Sequence, residues 1–313
     1  MPKYRILSID GGGLRGLIST RLLQKLSNTP KINGWLDRVD LIAGTSTGGI
    51  LALALASGKP LEDIAQLYIQ KGPQIFDDSI WDNIRDLGKT VGADYSNKVL
   101  KKELLSIFGD KKLNELSKKV TIPTFDLDNQ DPDDSKRTWK PKIFHNFSGS
   151  DSDGQQLLAD VALYTSSAPT YFPSADGYID GGVFANNPSM VALVQAISQR
   201  NRAKERANID DIVLLSVGTG VSLSYIKGNT IDWGYAQWVK PLLNILMDGV
   251  AGISDYQTAQ LLGDRYQRLQ MTFPTKLAIA MDDVSSIARM DTLGKNYDVA
   301  KVADWIENIW NTP

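Results

Sequence analysis

The 313-residue chain contains no cysteine and a single histidine, His145. The first absence excludes a disulfide framework, a thiolate zinc site and a cysteine nucleophile together. The second leaves no histidine pair to hold a metal from one helix face, so any histidine chemistry rests on one residue. An excess of one charge is missing as well: 34 Lys and Arg stand against 36 Asp and Glu, a net −2 with pI near 5.6. Such a surface has no field for drawing in nucleic acid, which is not an expected partner. No apolar run approaches the roughly 18 residues that span a bilayer, and Met1-Pro2-Lys3-Tyr4-Arg5 leads into a strand with no apolar signal core. The expectation is a soluble, cytoplasmic chain, with peripheral contact to a membrane surface left open.

What is present alternates between strand and helix patterns. Tyr4 to Asp10 reads as a buried strand, and Gly11-Gly12-Gly13-Leu14-Arg15-Gly16 turns it into a helix with Leu17, Ile18, Leu22, Leu23 and Leu26 on one face. Leu36 to Ala43 returns as a strand, Ile50 to Ala56 as an inner helix and Leu61 to Gln70 as an amphipathic one. Lys98 to Phe108 reads as a helix, Val120 to Leu127 and Lys142 to Phe147 as strands, and Gln155 to Ser167 as a helix. Ile212 to Gly220 is the cleanest central strand. A Leu- and Met-rich helix from about Trp238 to Val250, a segment Ser254 to Gly263, a strand Tyr266 to Met271 and a closing helix Asn296 to Trp310 complete the chain. No repeat or low-complexity linker divides it, so residues 1–313 are read as one α/β domain with a mainly parallel central sheet.

Two stretches carry no chemistry of their own. Between Gly72 and Asn97 periodicity weakens around Phe76, Ile80, Trp81, Ile84, Leu87 and Tyr95, which suits folded-back packing better than a lid. The acids Asp131, Asp133 and Asp134 lack the glycine-centred loop and terminal glutamate of a calcium site and read as solvated; no metal is expected.

Three glycine turns carry the chemistry. Gly44-Thr45-Ser46-Thr47-Gly48, between a short apolar strand and an Ala/Leu-rich helix, matches the G-x-S-x-G nucleophile elbow, with Gly44 and Gly48 admitting the sharp turn. Gly11, Gly13 and Gly16 also satisfy G-x-G-x-x-G, the dinucleotide fingerprint, but no acid ends the second strand to hold a ribose, so that reading is incomplete. Alternatively, successive N–H groups of Gly11, Gly12 and Gly13 form a positive concavity for a phosphate or an oxyanion, with Arg15 beside it. The third turn, Asp180-Gly181-Gly182, is either an ordinary turn or a carboxylate brought to a serine with no bulk behind it. His145 precedes Asp180 and no histidine follows, which excludes the usual order of an α/β-hydrolase triad.

Taken together, Asp10-Gly11-Gly12-Gly13-Leu14-Arg15-Gly16, Gly44-Thr45-Ser46-Thr47-Gly48 and Asp180-Gly181-Gly182 resemble the patatin-like phospholipases. The similarity extends to Ser166 through Pro173 and to Asn186-Asn187-Pro188, covering about Tyr4 to Gly220; residues 221–313 form the C-terminal part of the same domain. The resemblance implies a three-layer α/β/α fold and a calcium-independent Ser–Asp dyad that cleaves acyl esters of phospholipids or glycolipids, without a cofactor. It implies Ser46 as nucleophile, Asp180 as general base, and Gly11, Gly12, Gly13 and Arg15 at the oxyanion hole. A dinucleotide-binding oxidoreductase and a catalytically silent lipid-binding protein are the alternatives.

Overall fold

Strands apolar on both faces must be covered on both sides. The computed structural model, which describes residues 2–76, 93–223, 225–228, 230–275 and 277–312, does this with one sheet between two helical layers. Its strands are β1 (Tyr4–Ile9), β2 (Leu41–Gly44), β3 (Lys119–Asp126), β4 (Lys140–His145), β5 (Tyr178–Asp180), β6 (Ile212–Val217) and β7 (Tyr266–Leu269). They lie in the order β4-β3-β2-β1-β6-β7, with β5 also on β3. The helices are α1 (Gly16–Ser27), α2 (Thr47–Ala56), α3 (Leu61–Ile75), α4 (Asn97–Phe108), α5 (Leu158–Thr165), α6 (Gly182–Ala185), α7 (Ser189–Ile197), α8 (Tyr235–Leu262), α9 (Ile287–Asn296) and α10 (Ala300–Trp305).

Side-chain alternation divides the core. Leu7, Ile9, Val213, Leu215 and Val217 point to a layer that includes α1, α2, α9 and α10, while Ile6, Ile212 and Leu214 point to Ala192 and Leu193 of α7 and Leu262 of α8. Helix α2 is apolar all round because it is enclosed by β2, β3, α1 and α5. Its fully buried Leu51 and Leu53 each contribute about 1.5–3 kcal/mol of burial free energy.

The expected three-layer α/β architecture is present, with local differences. β1, β2, β3, β6 and β7 are parallel, but β4 and β5 run antiparallel to β3. The polar loop after β3 holds no helix to carry the chain back across the sheet, so β4 can only return antiparallel. Helix α8 continues through Gly249 and Gly252 into the segment expected to be separate. Ser254, Thr258 and Leu262 are buried, and the Ser254 hydroxyl accepts the Met190 N–H at 3.2 Å, so packing outweighs two exposed glycines. Ile287–Asn296, left unassigned by the sequence, is helical, and the closing helix starts at Ala300 rather than Asn296. Phe76 and Tyr95 fold back as anticipated: their rings meet edge to face at 5.3 Å, and Phe172 sits 5.5 Å from Phe76. Ile80, Trp81, Ile84 and Leu87 lie outside the described residues.

Candidate active site

β2 ends at Gly44 and α2 starts at Thr47, so the two residues between them must reverse the chain. Ser46 does so at φ 56° and ψ −126°, a conformation non-glycine residues rarely hold and one that costs about 1–3 kcal/mol. Neighbouring backbone passes so close that a Cβ on Gly44 would lie 2.0 Å from the Gly48 carbonyl oxygen, and one on Gly48 2.3 Å from that of Ile9. Two threonines hold the elbow. Thr165 Oγ1 accepts the Ser46 N–H at 2.9 Å and donates to the Pro123 carbonyl at 2.6 Å; Thr45 Oγ1 donates to the Ala185 carbonyl at 2.6 Å.

Asp180 reaches the same place from the third turn. It ends β5 opposite Thr124, is 3% exposed, and accepts the Gly182 N–H on Oδ1 at 2.7 Å. The Ser46 hydroxyl faces the same cavity and favours the charged form of the carboxyl. Burial pushes its pKa up to about 7, opposed by the Ser46 hydroxyl and the Gly182 N–H. A carboxylate so placed is a far stronger base than one in water, and it is part-ionised at neutral pH.

The first glycine turn packs against both. Gly11 N–H donates to the Asn186 carbonyl at 3.0 Å, which takes it out of the expected set of oxyanion donors and corrects that expectation. The N–H groups of Gly12 and Gly13 have no acceptor among the described residues, and their orientation is imposed from behind. The Gly11 carbonyl, on the same peptide as the Gly12 N–H, accepts from Thr219 Oγ1 at 2.9 Å. The Gly12 carbonyl, on the same peptide as the Gly13 N–H, accepts from the Arg15 N–H at 3.1 Å and Arg15 Nε at 3.4 Å. Because a peptide's N–H and C=O point in opposite directions, Thr219 and Arg15 aim these two donors away from themselves. Arg15 also reaches the Gly220 carbonyl at 3.4 Å; burial lowers its pKa, and Asp248 of α8 opposes that shift. The Leu14 N–H is taken by the Met281 carbonyl at 2.7 Å, so the helix start offers fewer donors to a pyrophosphate than the dinucleotide reading needs.

Asp10, just before this turn, is anchored by Arg268 of β7, whose Nη1 donates to Asp10 Oδ1 at 2.9 Å and to Ser216 Oγ at 2.7 Å. Burial works against the Arg268 charge, but Asp10 outweighs it and keeps the guanidinium protonated. Arg268, Thr165 and Thr219 lie outside the three glycine motifs, and Thr45 stands in one only at a variable position, so no local pattern marks what they hold.

Ser46 and Asp180 open onto a cavity with about 800 Å³ of empty space, counting its mouth. Gly13, Thr47 and Ser166 join them at the polar end, and Leu67, Ile75, Phe76, Leu100, Leu104 and Ile107 from α3, α4 and their surroundings supply an apolar remainder. His145 does not line it. That residue sits on β4 opposite Thr121, its N–H donating to Asp153 Oδ2 at 3.1 Å, and burial lowers its pKa.

Comparison with known proteins places the chain in a family. The profile of the Patatin-like phospholipase family matches residues 7–193. "Patatin-like protein 4" of Arabidopsis thaliana is 30% identical, over 91% of this chain and 81% of its own. The "cGAMP-activated phospholipase" of Vibrio cholerae is 36% identical, over 69% and 64% respectively. Among solved structures, VipD from Legionella pneumophila aligns at a TM-score of 0.43 and 12% identity, over 97% of this chain and 67% of that one. The chain belongs to the patatin-like phospholipase family, whose chemistry is lipid acyl hydrolysis.

Proposed function

We propose that this protein hydrolyses acyl esters of phospholipids or glycolipids through a Ser46–Asp180 dyad and an acyl-enzyme, without calcium. The observation that carries the reading is Ser46 and the buried Asp180 together at the polar end of an apolar cavity, with the N–H groups of Gly12 and Gly13 free of acceptors among the described residues. Ser46 Oγ attacks the ester carbonyl while Asp180 takes its proton. The carbonyl oxygen, now negative, is met by the N–H groups of Gly12 and Gly13. Protonated Asp180 then gives the proton to the departing alcohol, and water resolves the acyl-enzyme. Labelling with a fluorophosphonate probe tests this directly: the wild type should label and Ser46→Ala should not, since only an activated serine reacts. An unlabelled wild type would overturn the dyad.

If Asp180 is the base, kcat/KM should follow its ionised fraction. It is expected to rise about tenfold per pH unit on the acid side and level off above a midpoint near pH 7, where burial has placed the carboxyl. A midpoint near 4, the range of an exposed carboxylate, would remove Asp180 from that role.

At the apolar end, a second cavity lined by Ala54, Lys59, Asp63, Ile64 and Ser106 shares Ile50, Leu67 and Ile107 with the first. These three side chains therefore form the wall where an acyl chain would stop. Ile107→Trp should shift the preference of nitrophenyl esters to shorter chains and Ile107→Ala to longer ones, each by about 10-fold in relative kcat/KM. Identical profiles for both variants and the wild type would place the acyl chain elsewhere.

A further inference from the structure

Most of the protein's uncovered apolar surface lies in one place. Of the fourteen bulky apolar or aromatic side chains exposed among the described residues, ten fall between Leu223 and Leu261. Scattered exposed apolar residues need no explanation, whereas a contiguous group marks a surface that meets a partner. Along α8, Leu242, Ile245, Leu246, Ile253 and Tyr256 follow the spacing of one helix face. The buried Ser254, Thr258 and Leu262 fall on the opposite face, as does Met247, and the acids Asp248 and Asp255 lie off the stripe.

The course of α8 ties this stripe to the candidate active site. Leu262 clusters with Ile212 and Leu214 near the start of β6, whereas β6 ends at the catalytic edge, where the Val217 carbonyl accepts the Asp10 N–H at 3.0 Å. The 28 residues of α8 span about 42 Å, roughly twice the length of the six-residue β6, so its first half extends past the strand ends on that edge. There Met247 lines the cavity that holds Ser46 and Asp180, and its Cε lies 3.2 Å from the point a Cβ of Gly182 would occupy. One side of the helix faces the apolar cavity and the other carries the exposed stripe. The loop entering α8 adds Tyr225 and Trp233, and the helix begins with Tyr235, aromatic side chains of the kind that settle where hydrocarbon meets water.

Charge narrows what covers this face. From Val221 to Leu262 the chain holds two lysines, Lys227 and Lys240, against three aspartates, Asp232, Asp248 and Asp255, so the face offers an anionic surface no attraction. A zwitterionic bilayer needs none, and it stores the kind of lipid that the adjoining cavity would take. Resting on the lipid acyl hydrolase reading, we infer that the exposed stripe of α8, with Tyr225, Trp233 and Tyr235, docks on a zwitterionic lipid bilayer by burying apolar side chains at the boundary of headgroups and acyl chains. The docked helix then stands between bilayer and cavity, and a lipid passes from one apolar environment to the other along α8 without its chains crossing water.

Sedimentation of the full chain with vesicles of dialkyl phosphatidylcholine, whose ether links leave no ester to cleave, tests this. Wild type should pellet equally at about 0.1 M and about 1 M NaCl, and no better when phosphatidylglycerol replaces about a third of the lipid. Leu246→Asp combined with Ile253→Asp should lower vesicle binding, and hydrolysis of diester phosphatidylcholine vesicles, by about tenfold or more. Its kcat/KM for soluble nitrophenyl butyrate and its melting temperature should stay close to wild type. If that pair melts low, Tyr225→Asp combined with Tyr235→Asp, at positions 86% and 87% exposed, is read in its place with the same expectation. A wild type that stays in the supernatant, binding that needs anionic lipid or vanishes at high salt, variants that bind as wild type does, or loss of folding in both pairs would overturn the inference. So would a wild-type dimer in analytical ultracentrifugation that the variants convert to monomer, since the face would then belong to a second copy. A wild type that pellets yet hydrolyses neither nitrophenyl butyrate nor diester vesicles would instead overturn the dyad and leave the docking face in place.

Discussion

Ser46→Ala is expected to lower hydrolysis of a phospholipid or a nitrophenyl ester by about 10³-fold or more while leaving the melting temperature near that of the wild type. The size follows from the chemistry: without Oγ no acyl-enzyme forms, and what remains is whatever acceleration the oxyanion donors and binding give to direct attack by water. The small structural effect follows from what holds the elbow. The backbone N–H of residue 46 would still donate to Thr165 Oγ1, Gly44 and Gly48 would still admit the turn, and alanine keeps the Cβ that packs beside Gly11. The one loss is the hydroxyl's support for the charged form of Asp180, whose pKa should then rise further because that support opposes the effect of burial. Ester hydrolysis by Ser46→Ala within about tenfold of wild type would sink the nucleophile assignment.

The elbow was readable from sequence because its cause is local. A serine at positive φ between a strand and a buried helix needs Gly44 and Gly48 whatever surrounds it, and the chain states both requirements within five residues. Which N–H groups of the first glycine turn stay unpaired was not readable, because that depends on distant residues. Asn186 takes the Gly11 N–H, Thr219 pins the Gly11 carbonyl, and Met281 takes the Leu14 N–H. The same division runs through the fold. Short continuous apolar runs marked β1, β2 and β6, and the enclosed character of α2 shows as an unbroken apolar run. The continuation of α8 past Gly249 depends instead on Ser254, Thr258 and Leu262 finding buried positions. Helix α9 is held by the buried Arg21, whose Nε meets Asp291 at 2.6 Å and whose Nη1 meets Glu62 at 2.6 Å, a triad no local pattern announces.

Asp180→Asn is expected to abolish activity to a similar degree, about 10³-fold or more, and yet to make the protein more resistant to heat at pH 8. The amide is nearly isosteric: its oxygen can still accept from Gly182 N–H, so the site keeps its shape. It cannot take the Ser46 proton, and a serine with no base is a poor nucleophile. The stability effect has a definite sign. Burial pushes the folded carboxyl up to about 7 from its ordinary 3.8, so between those values the folded state binds more protons than the unfolded state. Stability therefore falls as pH rises from about 4 to about 7 and stays lower above that, by roughly 4 kcal/mol for a shift of this size. Asparagine has no charge to bury and escapes the penalty. Calorimetry of the two proteins should show the variant melting higher at pH 8, with the gap closing as the pH is lowered toward 4. A variant that melts below the wild type at pH 8 would contradict the burial account of Asp180. Inactivity together with greater stability would separate a base held ionised at the expense of the fold from a residue that merely supports it.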